Sequence, residues 1–244
     1  MRPYVITIAG HDPSCGAGLN ADIKTFEHLK VSGLSICSAI TYQDENTFEG
    51  ADWISASKII RQLDILLKKY DVRYIKIGLI ESFNSLKEVL AYLTNNYPNV
   101  RVIWDPILQA TSGFTIHSIF EGLDLILQSI YILTPNRTEI LQLTGLTDSL
   151  DASRTLSTHT HLLLKGGHAK NHATDIMFYH RERLFEVQGD RFKASDKHGT
   201  GCVLSAAIVS YLTHGDTIED ACRKAKVYVE KFLQSNNSRL GYHS

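Results

Sequence analysis

Lys197-His198-Gly199-Thr200-Gly201-Cys202 runs without a break into Val203-Leu204-Ser205-Ala206-Ala207-Ile208-Val209. Two glycines flank a threonine, and a helix-forming apolar run follows at once. This arrangement points bare backbone N–H groups at one spot on a helix N-terminus. Such a spot binds anions, phosphates above all. Cys202 falls in the first turn, where the positive end of the helix dipole is expected to lower a thiol pKa. The same residues also describe a glycine turn that caps an ordinary helix. The rest of the chain decides between the two.

Outward from this stretch, strand-like and helix-like segments alternate. Residues 4–9 read as a buried strand, 19–30 as a helix and 34–42 as a second strand. Within 55–69, Ile59, Ile60, Leu63, Leu66 and Leu67 recur at helical spacing. Strands at 72–77, 100–104, 131–133 and 161–164 are separated by helices at 86–94, 116–127 and 137–143. Segments 175–179 and 184–188 flank His180-Arg181-Glu182-Arg183 as a hairpin would. Helices at 201–212 and 218–234 complete the pattern, and Thr217 with Asp220 forms a capping pattern for the second. Repeated β-α units imply an α/β fold, a mainly parallel sheet with helices on both faces. Active residues then collect in loops beyond the C-terminal ends of the strands.

The bulk composition agrees. The chain has 244 residues, 43% hydrophobic and 21% charged, with a formal net charge of −1. That suits one domain, 1–244, with a full core. Acids and bases are mixed along it, so no basic block marks a nucleic-acid partner and no acidic tail marks disorder. The apolar runs at 36–42 and 123–133 are short and interrupted, below the roughly 20 residues of a membrane span. Residues 1–9 carry no signal-peptide cleavage pattern. Cys15, Cys37, Cys202 and Cys222 form no close pairs. They match neither a zinc knuckle nor a disulfide framework, and a cytoplasmic location is expected.

Candidate site residues follow the strands. After the first comes Gly10-His11-Asp12-Pro13-Ser14-Cys15-Gly16-Ala17-Gly18, in which Gly16, Gly18 and Ala21 match the dinucleotide pattern G-x-G-x-x-A. A dinucleotide loop turns tightly off its strand; this longer loop suits closure over a small substrate. Asp22, one turn further on, reads equally as a solvated or capping acid. Gln43 follows the second strand with the amide donors and acceptor that reading a nitrogen heterocycle edge requires, or is a surface glutamine. Asp105, in Trp104-Asp105-Pro106, can hold a water of hydrated Mg²⁺ or start a turn. Asn136 and Glu139 share a helix face and can steer Mg²⁺ waters, or form a helix cap. Lys165, before Gly166-Gly167-His168, can approach triphosphate oxygens, and no Walker-type loop occurs anywhere. His168 and His172 lack a third zinc ligand, and His159 and His161 read as structural.

In order along nearly the whole chain, these segments resemble the hydroxymethylpyrimidine/phosphomethylpyrimidine kinases of thiamine biosynthesis, in the ribokinase-like superfamily. The resemblance rests on Thr7–Gly10 with Asp12-Pro13-Ser14, on Gly16–Thr25, Gln43 and Lys76-Ile77-Gly78-Leu79. It continues through Asp105-Pro106, Thr134-Pro135-Asn136 with Glu139, Lys165-Gly166-Gly167-His168 and His198–Cys202. Cysteine at 202, where sugar kinases of the superfamily usually have aspartate, points to the pyrimidine kinases and to some pyridoxal kinases near them. The resemblance implies a ribokinase-like three-layer sandwich and MgATP as cofactor. It implies that Gln43 reads the pyrimidine edge, with Gly10, Asp12, Ala17, Asp22 and Leu79 on the substrate side. Asp105 and Glu139 would order Mg²⁺ through water, and Asn136, Lys165 and Thr200 would serve ATP. Gly199, Thr200 and Gly201 would form the anion hole, with Cys202 at the substrate hydroxyl. The chain departs from the family at Cys15, usually glycine, and at Leu79, often methionine; Asp44-Glu45 looks inserted.

The function implied is ATP-dependent phosphorylation of a hydroxymethylpyrimidine, its monophosphate or both. Pyridoxal kinase is the nearer alternative; a pyrimidine-binding sensor without turnover and a dinucleotide oxidoreductase are more distant ones. The expected partners are the small substrate and ATP, and the expected assembly is a homodimer.

Overall fold

The computed structural model describes residues 1–108, 122–166, 174–189 and 197–243. Gly167, His168, His172 and the first part of the helix read at 116–127 lie outside them. In chain order come β1 (Tyr4–His11), α1 (Gly18–His28), β2 (Ser32–Gln43), β3 (Phe48–Trp53), α2 (Ala56–Lys69) and β4 (Val72–Ile77). Then follow α3 (Phe83–Asn96), β5 (Arg101–Trp104), α4 (Leu123–Gln128), β6 (Ile132–Leu133), α5 (Arg137–Thr144) and α6 (Ser149–Leu156). The remainder is β7 (His161–Leu164), β8 (Asp175–Tyr179), β9 (Glu182–Val187), α7 (Thr200–Thr213) and α8 (Ile218–Gln234).

Among the described residues the strands form one sheet in the order β3-β2-β1-β4-β5-β6-β7-β8-β9. The strands from β2 to β7 in that order are parallel, and β3, β8 and β9 add antiparallel edges. The parallel strands bury both faces, which is why they read as near-continuous apolar runs. Ile6, Ile8, Ile75 and Ile77 face a layer with Ile59 and Leu63 of α2, Leu86 and Val89 of α3 and Ile140 of α5. Val5, Tyr74, Ile103 and Ile132 face the other layer, with Phe26 of α1, Val203 and Ile208 of α7, and Ala225 and Phe232 of α8. The chain is the mainly parallel three-layer α/β sandwich expected.

α7 is apolar on every side because every side is covered. It packs on α1, α8, β1 and β4, and its residues from Cys202 to Ser210 are all buried. Two elements escape the sequence reading. β3 is a half-exposed edge strand carrying Glu49 and Asp52, with no clean alternation; its pairing with β2 makes it a strand. α6 buries only Ala152, Ser153 and Leu156, a face too small to show as apolar periodicity. The β8–β9 hairpin turns at His180 and Arg181, at φ 49° and 66°, the left-handed pair that a two-residue turn requires. No helix among the described residues is long and apolar enough to cross a membrane.

Phe26 is fully buried beneath Gly33, where an added Cβ would come within 2.6 Å of its ring. Phe26→Ala should cost about 3–5 kcal/mol. Urea unfolding should show a lower midpoint at an unchanged slope.

Candidate active site

The chain leaves β1 toward β2 on one side and returns to β4 on the other. The strand order therefore reverses between β1 and β4, and open α/β sheets bind ligands at such a point, beyond the strand C-termini. Gly10-His11-Asp12, Gln43, Leu79, Asp105, Asn136 and Lys165 all stand at or just past strand ends. The N-terminus of α7 is placed among them.

Gly199 begins α7 at φ +76°, and no side chain caps the helix. The first-turn N–H groups lack intrahelical partners by geometry, so they are left for a ligand. A Cβ on Gly199 would lie 2.0 Å from the Gly16 carbonyl oxygen, so only glycine fits there. Thr200 Oγ1 donates to the Lys197 carbonyl at 2.8 Å. A Cβ on Gly201 would sit 3.4 Å from Lys165 Nζ and 3.8 Å from Asp105 Oδ2, so the bare helix start directly adjoins the charged groups.

Those groups form one network. Lys165 Nζ donates to Asp105 Oδ1 at 2.8 Å and lies 3.7 Å from Glu139 Oε2. Ser205 Oγ, one turn into α7, donates to Asp105 Oδ2 at 3.1 Å, and Thr134 Oγ1 to Oδ1 at 3.2 Å. Burial works against the Asp105 charge, but Lys165 and Lys76 outweigh it and hold the carboxyl below the usual range. Burial, with the Asp105 charge, pushes Glu139 up to about 7 against the pull of Lys165. Two oxygen-donor carboxylates thus converge on one ammonium. This hard-oxygen chemistry fits Mg²⁺, which would relieve their repulsion. Asn136 and Glu139 form a reciprocal capping box: Asn136 Oδ1 accepts the Glu139 N–H at 2.9 Å, and Glu139 Oε2 the Asn136 N–H at 2.6 Å. The capping alternative is therefore present, and it fixes the Glu139 carboxylate beside Lys165.

On the opposite wall, a Cβ on Gly10 would meet Leu79 Cδ2 at 2.8 Å and Thr41 Cγ2 at 3.3 Å. Gln43 is half-buried at the end of β2, and its amide makes no hydrogen bond among the described residues. Asp44 Oδ1 accepts the Asn46 and Thr47 N–H groups, each at 2.7 Å, so Asp44-Glu45 builds the turn into β3. Residues of the C-terminal segment join here. Arg239 Nη1 donates to Asn46 Oδ1 at 3.0 Å, and His198 N to the Arg239 carbonyl at 2.9 Å.

Three expectations are corrected. Asp12 is wholly buried, and its carboxylate accepts from Ser14, Gly16 N–H, Ala17 N–H and His198 Nε2. It shapes the loop rather than facing a substrate. Asp22 is neither solvated nor a cap: it is fully buried, with its oxygens taken by Lys76 Nζ and by Thr7 Oγ1 at 2.6 Å. The Cys202 thiol is not lowered. It is 6% exposed, and burial pushes it up to about 11, with Asp105 and Asp22 adding to the rise and Lys76 opposing it. The helix start favours a thiolate, but loss of water costs more. Lys76, His198, Thr134 and Ser205 are the residues to which the sequence reading assigns no individual part. Lys76 alone carried a legible signal, a lysine between Ile75 and Ile77 in a buried strand.

The family model described as phosphomethylpyrimidine kinase matches residues 12–244. The chain belongs to this kinase family. It is 31% identical over 248 residues to a hydroxymethylpyrimidine/phosphomethylpyrimidine kinase of Rhizobium meliloti, covering 96% of this chain and 92% of that one. A phosphomethylpyrimidine kinase structure from Clostridium difficile 630 superposes with a TM-score of 0.77 at 28% identity, over 94% of this chain and 99% of that one. The pyridoxal kinase of Staphylococcus aureus, solved with AMP-PCP and pyridoxal, gives a TM-score of 0.82 at 25% identity, over 100% and 93%. The mainly parallel sandwich described above is therefore the ribokinase-like fold of these kinases, and the family uses ATP.

Exposure now orders the thiols. Cys15 and Cys37 are partly exposed, whereas Cys202 and Cys222 are buried. Iodoacetamide should label Cys15 before Cys202, as peptide mass spectrometry over a time course will show; faster labelling of Cys202 would contradict its burial.

Proposed function

We propose that the chain catalyses ATP-dependent phosphorylation of 4-amino-5-hydroxymethyl-2-methylpyrimidine, its monophosphate or both, in thiamine biosynthesis, with residues 1–244 acting as one kinase domain. The observation that supports this most is the uncapped α7 N-terminus with Lys165 and Asp105 within contact range of Gly201. Anion-binding N–H groups, a lysine and carboxylates meet at one point, which is what phosphoryl transfer needs. Little covalent chemistry falls to the protein there; positioning and charge stabilisation dominate.

In this reading the hydroxymethyl oxygen of the pyrimidine, or a phosphate oxygen of its monophosphate, attacks the γ-phosphorus of ATP and ADP leaves. The N–H groups of Gly199, Thr200, Gly201 and Cys202 take up charge on the transferred phosphoryl. Lys165 holds phosphate oxygens. Asp105 and Glu139 would hold Mg²⁺ through water, and the ion would supply charge neutralisation on the phosphates. Asn136 acts by fixing Glu139. Gln43 reads the ring edge with its open amide, beside Gly10, Ala17 and Leu79. Cys202 stands at the substrate hydroxyl; its thiol is protonated at rest, so the hydroxyl proton is taken by the fraction of enzyme in which the thiol proton has first passed to solvent. A cytoplasmic homodimer is the working assembly; Ile40 and Tyr42, 48% and 50% exposed on β2, offer it an apolar patch. The second reading is pyridoxal kinase, favoured by the TM-score of 0.82 to the pyridoxal-bound structure.

A coupled ADP-release assay over the pyrimidine, its phosphate and pyridoxal tests the assignment. Turnover of pyridoxal with neither pyrimidine accepted would move it to the second reading. Gln43→Leu should lower kcat/KM for the pyrimidine by roughly tenfold to a hundredfold, since an unpaired buried ring edge costs about 1–3 kcal/mol. The KM for ATP should stay near the wild-type value.

Cys202→Ala should lower kcat by about a hundredfold, the low end for loss of a general base, because the resting thiol is protonated. Cys202→Asp should restore part of the loss. Near-full turnover by the alanine variant would make Cys202 a packing residue and leave the kinase reading standing.

A further inference from the structure

Lys76 is the one lysine among the largest fully buried side chains. On β4 it follows the period of the strand: Ile75 and Ile77 face the layer of α2 and α3, whereas Tyr74 faces that of α1 and α7. Lys76 shares the Tyr74 face, where Nζ donates to Asp22 of α1 and both side chains are 0% exposed. Thr7 Oγ1 of β1 holds the other Asp22 oxygen at 2.6 Å. Cys202, in the first turn of α7, lies in the same layer and is electrostatically coupled to Lys76 and to Lys165.

An apolar pair could fill the same place in the fold. Two ions taken out of water lose more solvation than their attraction usually returns, and an apolar pair of similar volume is often as stable or more so. Much of this layer is apolar, with Val5, Ala21, Val203 and Ala206 in its cluster. A buried charge pair behind an anion-binding helix start is instead what a charge-stabilising site would contain.

We infer that Lys76 is a positioning residue for phosphoryl transfer: an ammonium held by Asp22 and Thr7 as a fixed positive charge behind the first turn of α7, acting through Cys202 and the Gly199–Gly201 backbone on the negative charge that develops there. This rests on the kinase reading above. Burial works against the Lys76 charge, and the Asp22 and Asp105 carboxylates hold it as a cation. It needs no contact with substrate. A preorganised charge in a water-excluded layer acts without reorganising during the reaction.

The test is the Lys76→Met/Asp22→Leu double variant of the full chain. It should melt at or above the wild-type temperature and keep both KM values within about threefold, with kcat lowered about tenfold or more. A smaller loss of kcat in the folded variant overturns the inference. Should the double variant not fold, Lys76→Arg and Lys76→Gln take its place: kcat should be higher for Arg, whatever the order of their melting temperatures, and kcat that merely tracks melting temperature overturns the inference. Failure of the kinase reading looks different, because the wild type would then turn over neither pyrimidine nor pyridoxal. The alkylation rate of Cys202 would decide in that event. Lys76→Gln should slow it by about threefold or more, through loss of the charge that favours thiolate, and a smaller change overturns the inference.

Discussion

The Asp12 carboxylate organises everything around the site. It accepts the backbone N–H groups of Gly16 at 3.1 Å and Ala17 at 2.8 Å, and His198 Nε2 at 3.0 Å. Burial opposes its charge, but the bonds from His198, Ser14 and Ala17 outweigh it and hold the carboxyl below the usual range. One side chain thereby bolts the loop after β1 to the loop before α7, which are 186 residues apart in the chain. The loop can then turn back over the strand, with Gly18 at φ +57° where a Cβ would lie 2.2 Å from the Gly10 carbonyl oxygen. Gly16 in turn sets its carbonyl against Gly199. The start of α7 is thus packed on the Gly16 main chain, with the Asp12–His198 bond beside it.

That contact forces the rest of the architecture. With its N-terminus fixed between β1 and β4, α7 must run through the middle of one layer, and α1 and α8 cover its sides. Its apolar surface is the consequence. The same burial removes water from the site, so each charge depends on a partner: Asp105 on Lys165, Asp22 on Lys76, and Asp175 on Lys226 at 2.9 Å. Asp175 also accepts the Gly166 N–H at 2.8 Å, so the turn after Lys165 is fastened to α8. Removing one member of a buried pair typically costs about 3–5 kcal/mol, so stability and site geometry are carried by the same groups.

Electrostatics in this layer follow burial more than helix dipoles. The dipole acts over one turn and is worth about 0.3–1 kcal/mol at exposed positions. Desolvation at a closed site is larger, and it raises both the Cys202 thiol and the Glu139 carboxyl. Burial therefore keeps the Cys202 thiol protonated at neutral pH and leaves the Glu139 carboxyl close to half-protonated.

Much of the fold was legible in the residues. β4, β7, β8 and α8 have the bounds their apolar periods imply, because each buries a face large enough to impose a period. β3 and α6 were not legible, since one takes its hydrogen bonds from β2 and the other buries alanine and serine. The glycines around Thr200, the Gly10–Gly18 loop, Lys165 and the Asn136–Glu139 spacing stood out because special backbone and charged groups at strand ends are local signals, and the fold brings Gly201, Lys165, Asp105 and Glu139 together. What the sequence by itself determined was the order of most elements, the glycine-flanked start of α7 and the family. Only the tertiary structure decided that Asp12 and Asp22 are wholly buried, that Lys76 pairs with Asp22, and that the thiol is raised. Those properties depend on how much water each group loses and which distant charge replaces it, and neither is encoded in local spacing.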